Sequence, residues 1–206
     1  MLDAEWITWR LAYELTGEWY GGGQLNNLAY GVSADLLAAH VPPRGTVIDL
    51  GCGIGRLAAL LPPDVTYIGL DQNRDRLAHA QREFAARPAV RFQYYDATTP
   101  WPDGVVGDTV LLVGVLEHVE SPETLLRQLR AVAPTLIVEV PDVEADPLNW
   151  ARQQVGCRWY SDDDHVREYT KALLADQLTR SGWTPNLWVQ RGLMVTAVCQ
   201  ATDPRQ

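Results

Sequence analysis

The chain has 206 residues, 47% of them hydrophobic, and a formal net charge of −9. That size and apolar content suit one globular domain with a core of its own, while the acidity disfavours a nucleic-acid partner unless a local basic patch overrides it. Three widely spaced cysteines, Cys52, Cys157 and Cys199, fit neither a disulfide framework nor a zinc site, so a reducing cytoplasmic setting is expected.

The first residues carry acids early and have no apolar h-region, so no signal peptide is expected. No apolar run approaches the ~20 residues of a membrane span. Leu2, Trp6, Trp9 and Tyr13 fall on one helical stripe. Gly17–Asn27, with three consecutive glycines, interrupts it. Leu28–Val41 reads as a second helix, stopped by Pro42-Pro43. Residues 1–45 are therefore expected to form an N-terminal helical lid or cap, with a plain surface loop as the alternative for the glycine stretch. Residues 46–206 form the main domain.

From Thr46 the pattern alternates. Strands are expected at Thr46–Leu50, Val65–Asp71, Val90–Asp96, Asp108–Gly114 and Thr135–Val140. Between them lie a helix start at Arg56–Leu61 cut short by Pro62-Pro63, an amphipathic helix at Asn73–Ala86, and a helix at Ser121–Val132 with Ser at the N-cap and Pro at N1. Residues 141–167 are polar and irregular. A helix over Tyr169–Arg180, capped by Thr170 and closed by Gly182, turns Leu173, Leu174, Gln177 and Leu178 inward. Asn186–Gln190 and Leu193–Gln200 are separated too briefly for a crossover and must pair antiparallel. The expected fold is α/β: a Rossmann-like, doubly wound, seven-stranded sheet of five parallel strands plus a C-terminal antiparallel hairpin.

The chemistry sits at strand ends. "VIDLGCGIGRL", Val47–Leu57, puts Gly51, Gly53 and Gly55 at the carboxyl edge of the first strand, where open α/β sheets bind ligands. The spacing G-x-G-x-G departs from a dinucleotide fingerprint, since Arg56 stands where the third glycine belongs, and no G-K-[ST] follows to make a P-loop. Asp71 ends the second strand and suits a bidentate grip on ribose hydroxyls, or an N-cap for the helix after it. Asp96 ends the third strand, where an acid can accept from an adenine amine, with the Ala97 amide beside it.

These four stretches, "VIDLGCGIGRLA", "YIGLDQN", "YYDATTPWPDG" and "DTVLLVGVLEHVESPETLLRQL", resemble the class I S-adenosylmethionine-dependent methyltransferases, and within them the small-molecule, ubiquinone-biosynthesis-type group. The resemblance is close over Val47–Val140 and looser to the end, through "HVREYT". It implies S-adenosylmethionine as cofactor, S-adenosylhomocysteine as product, and methyl transfer to an O, N or C nucleophile. Asp49 would anchor the loop and approach the methionine amino group; Gly51, Cys52 and Gly53 would line that moiety. Asp71 would hold the ribose with Gln72 beside the adenine, Asp96 and Ala97 would meet the adenine edge, and Gly114, Val115 and Leu116 would close over the sulfonium.

His118, in "LEHV" after the fourth strand, can serve as a general base near the reacting methyl, as can His165 after Asp162-Asp163-Asp164. Structural or solvated roles compete with both. A metal at His165 lacks a second ligand cluster at sensible spacing, so none is expected. Glu117 and Glu139 are alternative acids; His40 and His79 read as surface or packing residues. Of the eight Trp, Trp6, Trp9 and Trp19 flank the glycine hinge, Trp101, Trp150 and Trp159 fall in loops near the ligand edge, and Trp183 and Trp188 suit the core. The expected partner is a small-molecule acceptor, with no nucleic acid and no membrane; a homodimer is left open. Two rival readings stay in view: a cofactor-binding enzyme of non-methylating chemistry, such as a cyclase or decarboxylase, and a non-catalytic cofactor-binding protein.

Overall fold

The computed structural model describes residues 32–145, 149, 154–156 and 165–202. Seven strands form one sheet: β1 Thr46–Leu50, β2 Thr66–Asp71, β3 Val90–Tyr94, β4 Thr109–Val113, β5 Thr135–Pro141, β6 Trp183–Arg191 and β7 Met194–Ala201. Their spatial order is β3-β2-β1-β4-β5-β7-β6. The first five are parallel, and β7 lies antiparallel between β5 and β6. The expected sheet is therefore present, with the point where strand order reverses between β1 and β4.

The two-residue period of a strand divides the core into two layers. Ile48, Leu50, Ile68, Leu70, Val110 and Leu112 face one side, packed under α3 (Pro122–Leu129) and α4 (Lys171–Arg180) by Leu125, Leu126, Leu129, Leu174 and Leu178. Val47, Tyr67, Leu111, Ile137 and Val198 face the other, under α1 (Ala34–His40) and α2 (Arg74–Glu83) by Leu36, Leu37 and Leu77. So α1 is part of the layer that covers the sheet. The remainder of the expected cap, residues 1–31, lies outside the described residues, as do Trp6, Trp9 and Trp19.

Helix ends follow local chemistry. Ser33, Asn73 and Thr170 each accept a backbone N–H of the first turn on the side chain. Ser121 occupies the N-cap position of α3, as expected, but makes no side-chain cap; its backbone carbonyl takes the Thr124 and Leu125 amides. The β1–β2 crossover is one 3₁₀ turn, Arg56–Leu60, where a full helix would normally stand. The Arg87 guanidinium closes its open end by donating to Ala58 O at 2.7 Å and Leu61 O at 3.4 Å. Strand β6 is longer than the sequence pattern suggested. A register shift between Pro185 and Leu187 absorbs the proline, which has no N–H to give and sits here on an edge strand. Among the described residues no helix is long and apolar enough to cross a membrane.

Candidate active site

The carboxyl ends of β1, β2, β3 and β4 converge on the glycine loop. Gly51, Gly53 and Gly55 have φ of 78°, 55° and 80°. The Gly51 and Cys52 amides both donate to Leu70 O, at 2.7 and 3.1 Å, the Gly55 amide donates to Cys52 O at 2.9 Å, and the Gly53 amide donates to Asp71 Oδ2 at 2.8 Å. A Cβ on Gly55 would meet Phe92 Cζ at 2.7 Å, so the loop is wedged against β3 there. A Cβ on Gly53 would meet nothing within 4 Å: the bare backbone at that position faces open space. These four amides are spent inside the protein, and only a single 3₁₀ turn follows, so the loop lacks the N–H fan and helix dipole that a pyrophosphate needs.

Asp71 is 7% exposed. Its Oδ1 accepts the Asn73 amide at 2.7 Å while Oδ2 holds Gly53. It thus supports both the loop and the start of α2, although the N-cap proper is Asn73. Each oxygen keeps a second lone pair for a hydroxyl. Gln72 is exposed next to it.

Asp49 shares a sheet face with Tyr67, and the Tyr67 hydroxyl donates to Asp49 Oδ2. Burial raises the Asp49 carboxyl from 3.8 to about 7 against the lowering effect of that hydrogen bond, with neighbouring Asp71 adding a smaller upward push. Burial, and then the charges of Asp49 and Asp71, hold the Cys52 thiol well above its ordinary value; it is a packed loop residue without thiolate chemistry.

At the end of β3, Asp96 Oδ1 accepts the Thr98 amide at 2.9 Å and the Thr98 hydroxyl at 2.7 Å, which lowers its carboxyl and keeps it ionised. Ala97 is exposed beside it. Trp101 packs edge-on against Tyr95, centroids 5.2 Å apart, and its indole donates to Val105 O, so it serves the core margin. Beyond β4, Gly114 turns at φ 64°, Val115 is half-buried, and the Leu116 side chain is fully buried in the main core.

The same turn, Leu116–His118, meets the return of the 141–167 insert. Glu117 O accepts the Val166 amide at 2.9 Å and the Arg167 amide at 3.3 Å. The Arg167 guanidinium donates to Val119 O at 3.1 Å. This docking brings His165 to His118 with ring centroids 4.8 Å apart, across 47 positions of sequence (165 − 118). His165 Nδ1 lies 2.8 Å from Glu168 Oε1. Glu117 is 2% exposed, and its Oε2 is buried with no hydrogen-bond partner. Desolvation raises the Glu117 carboxyl from 4.5 to about 7.

Sequence spacing leaves His118 and His165 far apart and gives no sign of Tyr67, whereas Glu168 stands three residues after His165, a local signal by which it can be found. Glu139 is fully buried, with Oε2 accepting from the Val32 amide at 2.9 Å and the Thr196 hydroxyl at 2.6 Å, so it joins β5, β7 and the chain leading into α1. Trp183 is core, its indole donating to Leu126 O, and Trp188 is half-buried under Lys171. His40 and His79 sit on α1 and α2. Cys157, Trp150, Trp159 and Asp162–Asp164 lie outside the described residues.

Residues 28–186 match the family described as Methyltransferase domain. The chain is 31% identical over 122 residues to a trans-aconitate 2-methyltransferase of Variovorax paradoxus, covering 56% of this chain and 46% of that protein. It is 35% identical over 98 residues to an uncharacterized methyltransferase of Mycobacterium tuberculosis, covering 46% of this chain and 49% of that protein. It spans less than half the length of these curated relatives. Among solved structures, a SAM-dependent methyltransferase from Aquifex aeolicus superposes with a TM-score of 0.64 at 14% identity, over 98% of this chain and 100% of that one, a likeness of fold.

Proposed function

The chain belongs to the methyltransferase-domain family and has the class I, Rossmann-like fold, and on that premise we propose that it transfers a methyl group from S-adenosylmethionine to a small-molecule acceptor. The observation that carries this reading is the state of the glycine loop. It offers bare backbone in open space at Gly53, while the amides of Gly51, Cys52, Gly53 and Gly55 are already bonded within the protein. Such a surface suits an uncharged nucleoside carrying a methionine chain and does not suit a pyrophosphate.

In this reading Asp71 turns its remaining lone pairs to the ribose hydroxyls, with Gln72 at the adenine. Asp96 and the Ala97 amide meet the adenine edge. Asp49 lies beneath the methionine moiety, where a ligand ammonium favours its ionised form, and Gly51, Cys52 and Gly53 line that moiety. Gly114, Val115 and the backbone of Leu116 border the sulfonium end. S-Adenosylmethionine, when bound, supplies an activated methyl carbon; the protein's part is alignment and exclusion of water.

His118 and His165 are the side chains that address the acceptor, through lone pairs able to take a proton or hold a cation. Two described stretches border this corner, the lead into α1 at Val32 and the return leg of the insert at Val166 and Arg167. The Val32 amide donates to Glu139 Oε2, and the Val166 amide to Glu117 O. Relatives named trans-aconitate 2-methyltransferases support a small acceptor. The Glu168 carboxylate on His165 favours a hydroxyl or amine over an anionic carboxylate at this corner.

Calorimetry with S-adenosylhomocysteine and with NAD tests the first step. Binding of the first at a ~micromolar constant is expected, and binding of NAD alone would overturn the reading. Incubation with methyl-labelled cofactor and pools of hydroxylated and amine metabolites tests the second. Label on an acceptor supports methyl transfer; conversion of an acceptor without label points to a non-methylating enzyme.

A further inference from the structure

We propose that Glu117, His118 and His165 form a divalent transition-metal site at the acceptor corner, with Glu168 orienting His165 as a ligand. The proposal rests on the preceding reading only for what the metal would hold, a hydroxyl oxygen of the acceptor. The ligand set itself is read from the residues.

Three observations carry it. One ligand atom from each of the three side chains lies within 4.8 Å of the others, and this is the group of that kind found among the described residues. Glu117 Oε2 is buried without a hydrogen-bond partner, an uncompensated polar atom that a cation would satisfy. His165 Nδ1 is 2.8 Å from Glu168 Oε1, and both side chains are nearly buried, at 5% and 2% exposure. A carboxylate on one ring nitrogen fixes the tautomer and leaves Nε2 as an acceptor lone pair, the arrangement that orients metal-bound histidines.

The chemistry of the set narrows the ion. Two imidazoles and one carboxylate suit zinc and its first-row neighbours; magnesium and calcium prefer all-oxygen shells. Three protein ligands leave a position for water or an acceptor oxygen, as catalytic zinc sites do. Bonds of about 2.1 Å around a tetrahedral ion place ligand atoms roughly 3.4 Å apart, so the cluster must tighten. The solvent-exposed His118 is the ligand placed to move. Sequence spacing pointed away from a metal because it supplied no second cluster near His165. The fold supplies one from the turn after β4.

The test is calorimetric titration of the chelator-treated chain with Zn²⁺, and spectroscopic titration with Co²⁺, each with and without S-adenosylhomocysteine. The expected result is one Zn²⁺ per chain and the visible absorption of four-coordinate Co²⁺. His118→Ala and His165→Ala should each weaken binding at least ~10-fold, and Glu168→Gln by ~10–100-fold, as loss of an orienting partner does. Binding of S-adenosylhomocysteine should be unchanged in all three. His118 is exposed, so its variant does not depend on repacking a core; the buried Glu117→Gln is read only after circular dichroism shows a native fold. Absence of Zn²⁺ binding, full retention in the His118→Ala/His165→Ala double variant, or the spectrum of an octahedral hydrated Co²⁺ would overturn the proposal. S-Adenosylhomocysteine binding without Zn²⁺ binding sinks the metal site and leaves the methyltransferase reading standing. The converse result does the opposite.

Discussion

Asp71 Oδ2 accepts the Gly53 amide at 2.8 Å, so the acid that ends β2 holds the loop that follows β1. One carboxylate thus ties the glycine loop to the start of α2.

Asp71→Ala therefore has two expected consequences. Losing the Gly53 and Asn73 bonds should lower unfolding free energy by about 1–3 kcal/mol, the worth of charge-assisted bonds whose amides can rehydrate. The dissociation constant for S-adenosylhomocysteine should rise at least ~10-fold. Denaturant titration and calorimetry read the two separately, and an unchanged constant removes Asp71 from the binding site.

Asp49 makes stability depend on pH. Its carboxyl is raised from 3.8 to about 7 in the folded chain, so between those values the folded state keeps a proton that the unfolded state has released. Unfolding free energy should fall as pH rises from about 4 to about 7, by at most ~1.4 kcal/mol per pH unit from this group, and level off above. Asp49→Asn should flatten that slope in denaturation curves taken at successive pH. Tyr67→Phe, which removes the hydrogen bond that lowers the carboxyl, should extend the slope upward. A ligand ammonium favours ionised Asp49, so S-adenosylhomocysteine should bind more weakly below pH ~7 and release a proton on binding. Calorimetry in buffers of different ionisation enthalpy measures that proton.

Two glycines of one loop should respond in opposite ways. Gly55→Ala forces a side chain into φ 80° and within 2.7 Å of Phe92 Cζ, an expected loss of about 2–4 kcal/mol. Gly53→Ala meets no atom within 4 Å, so its stability cost should be only the ~1–2 kcal/mol of the left-handed conformation. Its added methyl stands where the ligand would lie, so binding of S-adenosylhomocysteine should fall at least ~10-fold. Thermal melts beside calorimetry separate the pair; equal binding losses at equal stability would remove Gly53 from the ligand surface.

Glu139→Ala should cost about 2–4 kcal/mol, because the fully buried Val32 amide and Thr196 hydroxyl lose their common acceptor. Cofactor affinity should change less than in Asp71→Ala. A smaller stability loss than that of a surface variant would mean the bonds are not formed in solution.

The sheet was legible because its signal is local: apolar runs of strand length, turn residues between them, and acids at three successive strand ends. The placing of the glycine loop and the acids was legible for the same reason: Gly51 follows β1 directly, Asp71 is the last residue of β2, and Asp96 follows β3 by two. The acceptor corner was not. His118 and His165 meet only because the insert's return leg hydrogen-bonds to Glu117 O, a tertiary contact with no trace in spacing. The Tyr67–Asp49 bond needs the pairing register of β1 and β2, and the extension of β6 through Pro185 needs a bulge that pattern reading does not anticipate.

Strand β7 fills the gap between β5 and β6, and it is the last of the seven to be synthesised. Until residues 194–201 are available, β5 keeps an unpaired edge, and Thr196 cannot join Glu139. Assembly of the sheet is thus finished from within, and the growing chain carries an unpaired, apolar strand edge from the time β5 is made until β7 inserts beside it.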